Sequence, residues 1–250
     1  MVENIWLIIP LLFVISLVYT SVGLGGGSSY VALLFLLGIP LANIPPIALF
    51  FNITASSVAF YRFSKSGYVV PRLVYPFLMT SIPATFLGAR IKLDENILTL
   101  VFALTLFCIA LVLFFRKKEK KFRFSDSKNM SWILPLLLGA ILGFLAGLVG
   151  IGGGIFLGPV LLLVGFASPK YIAGICSAFV LVNSIVGLTA RYFQGNVDLS
   201  TIFFLGIVVF VGAQVGSFFG TKRFSPILLQ KVVAVILLLV SFKLGLGALV

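Results

Sequence analysis

Two glycine clusters carry the residues best suited to chemistry: Gly23-Leu24-Gly25-Gly26-Gly27 and, 127 positions later, Gly150-Ile151-Gly152-Gly153-Gly154. Each directly precedes a short apolar run, so the cluster breaks a hydrophobic segment and leaves backbone N–H groups exposed at a helix start. Such an end combines free donors with positive dipole and suits a small anion. A glycine break at corresponding places in two halves of an apolar chain is the sequence mark of a transport site. Ser28 and Ser29 follow the first cluster and can add hydroxyl donors, whereas Ile155 and Phe156 follow the second, so the site is expected to be asymmetric.

Asn52 and Asn183 are amides flanked by apolar residues, and an unpaired amide in hydrocarbon is costly. Two readings stand equally: contact with a ligand, or a helix-to-helix hydrogen bond that pins the broken segment. Ser177, Gln214 and Thr54 are further polar candidates. The candidate binding set is therefore Gly25, Gly26, Gly27, Ser28, Ser29, Asn52, Gly152, Gly153, Gly154, Ser177, Asn183 and Gln214.

Other chemistries are disfavoured by residue types. Histidine is absent, which removes a Ser-His pair and any histidine metal ligand, and Cys108 and Cys176 lie alone within apolar runs. The acidic residues Glu3, Asp94, Glu95, Glu119, Asp126 and Asp198 sit at termini or loops, leaving no membrane-buried proton carrier. Neither glycine cluster has a glycine at the sixth position of a dinucleotide fingerprint, where Ser28 and Ile155 stand. No catalytic residue, metal or cofactor is expected, and the chain is read as not an enzyme.

The elements that must position these residues follow from composition. Of 250 residues 61% are hydrophobic and 10% charged, with mean hydropathy +1.24, against about 25% charged in a soluble domain. The chain is expected to be an all-α polytopic membrane protein, multi-pass in the inner (plasma) membrane. Apolar runs lie at about 5–22, 28–39, 44–60, 71–90, 97–115, 132–149, 155–167, 171–190, 199–219 and 226–248. Most are long enough to cross a bilayer as helix. Runs 28–39 and 155–167 are too short and read as half-helices leaving the glycine breaks.

A basic linker, 116–131, divides the chain into repeats 1–115 and 132–250, with Trp6 and Trp132, Gly67 and Gly195, and Gly88 and Gly216 in matching places alongside the two asparagines. If each repeat changes sides an odd number of times, thirteen basic residues share one side, including Arg62, Lys65, Arg72, the linker's seven, Lys170, Lys222 and Arg223. Three, Arg90, Lys92 and Arg191, share the other. That pattern puts the linker in the cytoplasm and both termini outside, and makes the repeats inverted. Ten spans, or eight plus two re-entrant hairpins, satisfy this parity alike. The series Gly139, Gly143, Gly147 and Gly212, Gly216, Gly220 repeat every fourth residue and read as helix-contact faces. The net charge of +12 belongs to these topology signals and to lipid headgroups. The expected partners are thus a small anionic substrate and membrane lipids, not nucleic acid, with a homo-oligomer left open.

The chain resembles the sulfite exporter TauE/SafE family across essentially its whole length. The residues that carry this are the two Gly-x-Gly-Gly-Gly motifs, Gly158-Pro159, Cys176-Ser177 with Asn183 downstream, and Arg191-Tyr192-Phe193-Gln194-Gly195-Asn196-Val197-Asp198. The first repeat departs from that pattern, with Pro45-Pro46 where the second has Cys176-Ser177. The resemblance implies export of small sulfur-containing anions such as sulfite, thiosulfate or sulfoacetate. Open alternatives are another anion, a Na⁺-coupled carrier, or a non-transporting membrane scaffold.

Overall fold

A computed structural model describes residues 5–40, 43–91, 132–192 and 203–222, with isolated positions between 97 and 111 and at 238. The linker, Gly195 and the runs 97–115 and 226–248 lie outside it, save those isolated positions. The described residues form eight helices: α1 (Ile5–Ser21), α2 (Gly27–Leu36), α3 (Ile44–Lys65), α4 (Pro71–Arg90), α5 (Ile133–Val149), α6 (Gly154–Val164), α7 (Pro169–Tyr192) and α8 (Phe203–Lys222). No strand occurs among them. Prolines open α3 and α4, where a fixed φ and a missing N–H cost nothing. Three helices are long and apolar enough to cross a membrane, Ile44–Lys65, Pro169–Tyr192 and Phe203–Thr221. The short runs become α2 and α6, of 10 and 11 residues, as half-helices leaving the glycine clusters.

The core is the antiparallel pair α3 and α7. Ala59 and Phe63, late in α3, pack on Ala173, early in α7, while Leu49, early in α3, touches Gly187, late in α7. On either flank two helices run parallel through a face of small residues. Gly139, Gly143 and Gly147 of α5 face Phe77, Ser81 and Thr85 of α4, and Gly212, Gly216 and Gly220 of α8 face Phe13, Leu17 and Ser21 of α1. These are the expected contact faces: a Cβ at any of the six would meet backbone, so only glycine lets the helices close up. Hydroxyls cross both seams. Thr80 and Thr85 donate to the Leu136 and Gly143 carbonyls at 2.7 and 2.8 Å, and Ser16 donates to the Val209 carbonyl at 2.6 Å.

The packing is symmetric under exchange of the halves. α4 packs on α5 as α8 packs on α1, α3 on α8 as α7 on α4, and α2 on α3 as α6 on α7. Each flank therefore joins the first helix of one half to the fourth of the other.

Helix directions show how the short helices run among the described residues. α8 starts beside Phe50, early in α3, and ends where Lys170, at the start of α7, donates to the Thr221 carbonyl at 3.1 Å. α1 runs parallel to α8, and Gly23 beyond its end touches Ala173 near the start of α7. α2 then turns back toward the start of α3, so α1 and α2 form a hairpin that returns to the end it came from. α5 and α6 do the same from the other end, with Gly150 against Pro45. Arg62, Lys65, Arg72, Lys170 and Lys222 gather at the end where α3 and α8 finish, and Arg90 and Arg191 at the opposite end.

Candidate functional site

The two hairpin turns meet between α3 and α7. Gly27 abuts the Ile151 carbonyl, and a Cβ on Gly154 would stand 3.4 Å from the Leu24 carbonyl. Asn52 is eight residues into the 22-residue α3, about 12 Å from its start at 1.5 Å per residue, so the junction lies well inside the bundle. α2 and α6 both begin here. Their N-caps are Gly26 and Gly153, with φ 114° and 77°, and neither carries a side-chain cap. Positive φ costs an L-residue roughly 1–2 kcal/mol, which is why glycine stands where each hairpin turns into its half-helix. Two positive helix ends, their first-turn amides uncapped by side chains, thus point into one buried place.

Two side chains with unpartnered polar atoms, Asn52 and Ser184, meet at Gly152, and the Tyr30 hydroxyl lies against Gly26 next to it. Asn52 is fully buried, and neither its Nδ2 nor its Oδ1 has a hydrogen-bond partner. Its amide touches both turns: a Cβ on Gly25 would lie 2.9 Å from Oδ1 and one on Gly152 3.1 Å from Nδ2, while Gly27 crowds Nδ2 closer still. Ser184 Oγ is unpartnered and would stand 2.6 Å from a Cβ on Gly152; Tyr30 Oη is unpartnered and would stand 3.1 Å from one on Gly26. Each unsatisfied buried group costs about 1–3 kcal/mol, so Asn52 and Ser184 side by side at Gly152 ask for a ligand that supplies the partners.

The remaining candidates divide. Ser28 and Ser29 are buried beside the junction, where both contact the Tyr19 hydroxyl, at 3.2 and 2.7 Å. Ser177 donates to the Gly174 carbonyl of its own helix at 2.8 Å, and Thr54 to the Phe50 carbonyl at 3.0 Å. Gln214 does not reach the junction: its Oε1 accepts from Arg62 at 2.9 Å, at the basic end. Asn183 lies against the Thr85 hydroxyl of α4, 3.0 Å from its Oδ1, and its Nδ2 is buried without a partner. Asn183 is not the counterpart of Asn52 in space. Val180 is: it packs on Gly25, Gly152 and Gly154 as Asn52 packs on Gly152, Gly25 and Gly27. The glycines repeat at 127 and this pair at 128, whereas the asparagines stand 131 apart, and three extra residues turn Asn183 onto α4.

The predicted asymmetry is wider than the serines. The first half has the polar residues Tyr19, Ser28, Ser29, Tyr30 and Asn52 at or next to its glycine turn, and Ala146, Ile155, Phe156, Leu157 and Val180 hold the matching positions in the second. Sequence reasoning missed Tyr30 and Ser184. The available signal for Ser184 was its place one helical turn after Val180, visible only once Val180 is known to face the glycines. It also missed Arg191, whose Nη2 donates to the Gly147 carbonyl at 2.6 Å and approaches that of Leu148 at 3.3 Å. This guanidinium satisfies the last carbonyls of α5, just before the second glycine turn. Arg191→Gln is expected to destabilise the protein by about 1–3 kcal/mol, read as a lower midpoint of thermal unfolding in detergent.

A family model described as Sulfite exporter TauE/SafE matches residues 8–244. Over 233 residues the chain is 31% identical to "Probable membrane transporter protein y4hK" of Sinorhizobium fredii, covering 93% of this chain and 94% of that one. It is 30% identical over 100 residues to "Sulfite exporter TauE/SafE family protein 2" of Arabidopsis thaliana, covering 40% of this chain and 22% of the relative. Family protein 1 of the same plant is 36% identical over 84 residues, 34% of this chain and 18% of the relative. No solved structure matches the chain.

Proposed function

The chain belongs to the sulfite exporter TauE/SafE family of membrane transporters, and from that premise we propose that it carries small sulfur-containing anions, such as sulfite, thiosulfate or sulfoacetate, through the junction of its two hairpins. The observation that carries this is the Asn52 amide, wholly buried and unpartnered between two helix N-termini. Such ends favour negative charge, and the amide and hydroxyls fix its orientation. The reading needs no catalytic group, metal or cofactor.

Alternating access follows from the symmetric pairing of elements. Residues 1–115 and 132–250 act as inverted repeats that rock about the junction; the antiparallel course of α3 and α7 supports this. The basic end, with the linker, faces the cytoplasm of the inner membrane, and both termini face outward. Five described basic residues at one end against two at the other support that orientation. An inside-negative potential then drives each negative charge outward with about 2.3 kcal/mol per 100 mV, enough for export without a coupling ion.

Gly26→Ala and Gly153→Ala test the site against a purely structural role for the glycines. Each forces an L-residue into a left-handed helix cap, and the added methyl meets side chains first: the Tyr30 ring at 3.0 Å for Gly26, or Ala146 and Phe179 at 2.9 Å for Gly153, with the Leu142 carbonyl at 3.4 Å. Both variants are expected to remain monodisperse in detergent and to lose at least about tenfold in flux, the equivalent of 1.4 kcal/mol. Full flux in folded variants would return the glycines to packing alone.

A further inference from the structure

We propose that the ion accommodated at the junction is a monoprotonated oxyanion, one that brings its own O–H donor together with its single negative charge. The inference rests on the anion-site reading above and narrows it. Asn52 offers a donor and an acceptor, and both lack partners; exchanging the amide oxygen and nitrogen leaves the requirement unchanged. The Ser184 and Tyr30 hydroxyls can donate or accept, and the first-turn amides of α2 and α6 can only donate. A fully ionised oxyanion has acceptors alone. It would satisfy every donor and set its lone pairs against Asn52 Oδ1, leaving that atom unsatisfied in a buried site. An ion bearing one O–H fills the set: its oxygens accept from Nδ2, the hydroxyls and the amides, and its hydroxyl donates to Oδ1.

Among the described residues no carboxylate or imidazole stands at the junction. The chain has no histidine, and its six acidic residues all lie outside the described residues. Among the described residues, α1 presents Tyr19 and α2 presents Tyr30 near the junction, while Cys176 of α7 faces Gly158 of α6. The other titratable groups of α3, α4, α7 and α8 are Tyr61, Arg62, Lys65, Arg72, Tyr75, Arg90, Lys170, Tyr171, Tyr192 and Lys222, toward helix ends, and Arg191, whose guanidinium is held on the Gly147 and Leu148 carbonyls before the second glycine turn; α5 and α6 have none. A pH change across the neutral range titrates sulfite, and a control ion that does not titrate there separates that from any change in the protein. The proton travels on the substrate, without a transfer step.

Sulfite is the probe, because its second ionisation falls in the neutral range; methanesulfonate is the control, a monoanion without an O–H. Initial influx of each into proteoliposomes is measured at fixed total concentration as pH is raised, with protein-free liposomes subtracted. Sulfite flux is expected to fall about tenfold per pH unit on the alkaline side of that ionisation, following the monoanion, while methanesulfonate flux stays low and flat. Sulfite flux that holds level or rises, or methanesulfonate flux that falls in parallel, would overturn the inference and leave the anion-site reading in place. Absence of protein-dependent flux of either ion would remove that reading and the inference together.

Discussion

Asn52→Leu is expected to reduce anion flux by about 100-fold or more while leaving the protein as stable as the parent or more so. The two effects come from one fact. The amide is fully buried and makes no hydrogen bond within the protein, so replacing it by an apolar group of similar size removes an unsatisfied donor and acceptor worth about 1–3 kcal/mol each. Against a charged ligand the same two atoms form bonds worth about 1.5–3 kcal/mol apiece, and each 1.4 kcal/mol is tenfold. A variant that melts higher and transports less is the mark of a residue kept for binding rather than for folding. Asn183→Leu serves as the counterpart. It removes the 3.0 Å contact with the Thr85 hydroxyl, which keeps its shorter bond to the Gly143 carbonyl, together with an unpartnered Nδ2, so stability is expected to change by less than about 1 kcal/mol and flux by less than about threefold.

Gly147→Leu is expected to have the largest effect on folding. A Cβ at Gly147 would be driven into the Thr85 carbonyl, and because the obstacle is backbone no rotamer relieves it. The α4 and α5 axes would have to separate along the whole seam, losing the Thr85 bond to the Gly143 carbonyl and the Thr80 bond to that of Leu136. Overpacking together with broken interhelical bonds reaches beyond about 4 kcal/mol. Size-exclusion chromatography in mild detergent is expected to show aggregated protein. A monodisperse Gly147→Leu peak at normal yield would mean that this seam tolerates separation.

The glycine breaks were legible in the sequence because backbone chemistry is local. Three glycines in an apolar run cannot continue a helix cheaply, and α2 and α6 start at Gly27 and Gly154, one residue before the runs marked at 28 and 155. The small-residue faces of α5 and α8 were legible for the same reason, since spacing by four fixes one side of a helix. Which residue faces the junction was not. Asn52 and Asn183 look equivalent along the chain, yet three residues of slip rotate Asn183 by about 300° around its helix at 100° per residue and turn it onto Thr85. Gln214 has the chemistry of a ligand contact, but its partner Arg62 lies 152 positions away, a separation no local pattern reveals. Hairpins and full spans were indistinguishable by charge because both leave the same loops on the same sides. Helix direction, read from pairs such as Gly23 with Ala173 and Gly150 with Pro45, shows two hairpins that turn back among the described residues.

The most direct test is uptake of radiolabelled sulfite, thiosulfate and sulfoacetate into proteoliposomes under an imposed inside-positive potential, followed by a Na⁺ or pH gradient in its place, for the parent protein and Asn52→Leu side by side. Sulfite flux that follows the potential without a Na⁺ gradient and collapses in Asn52→Leu is the predicted result. Flux of the same size in the folded variant, or none of the three ions moving in the parent protein, would contradict an anion site at the junction of the two hairpins.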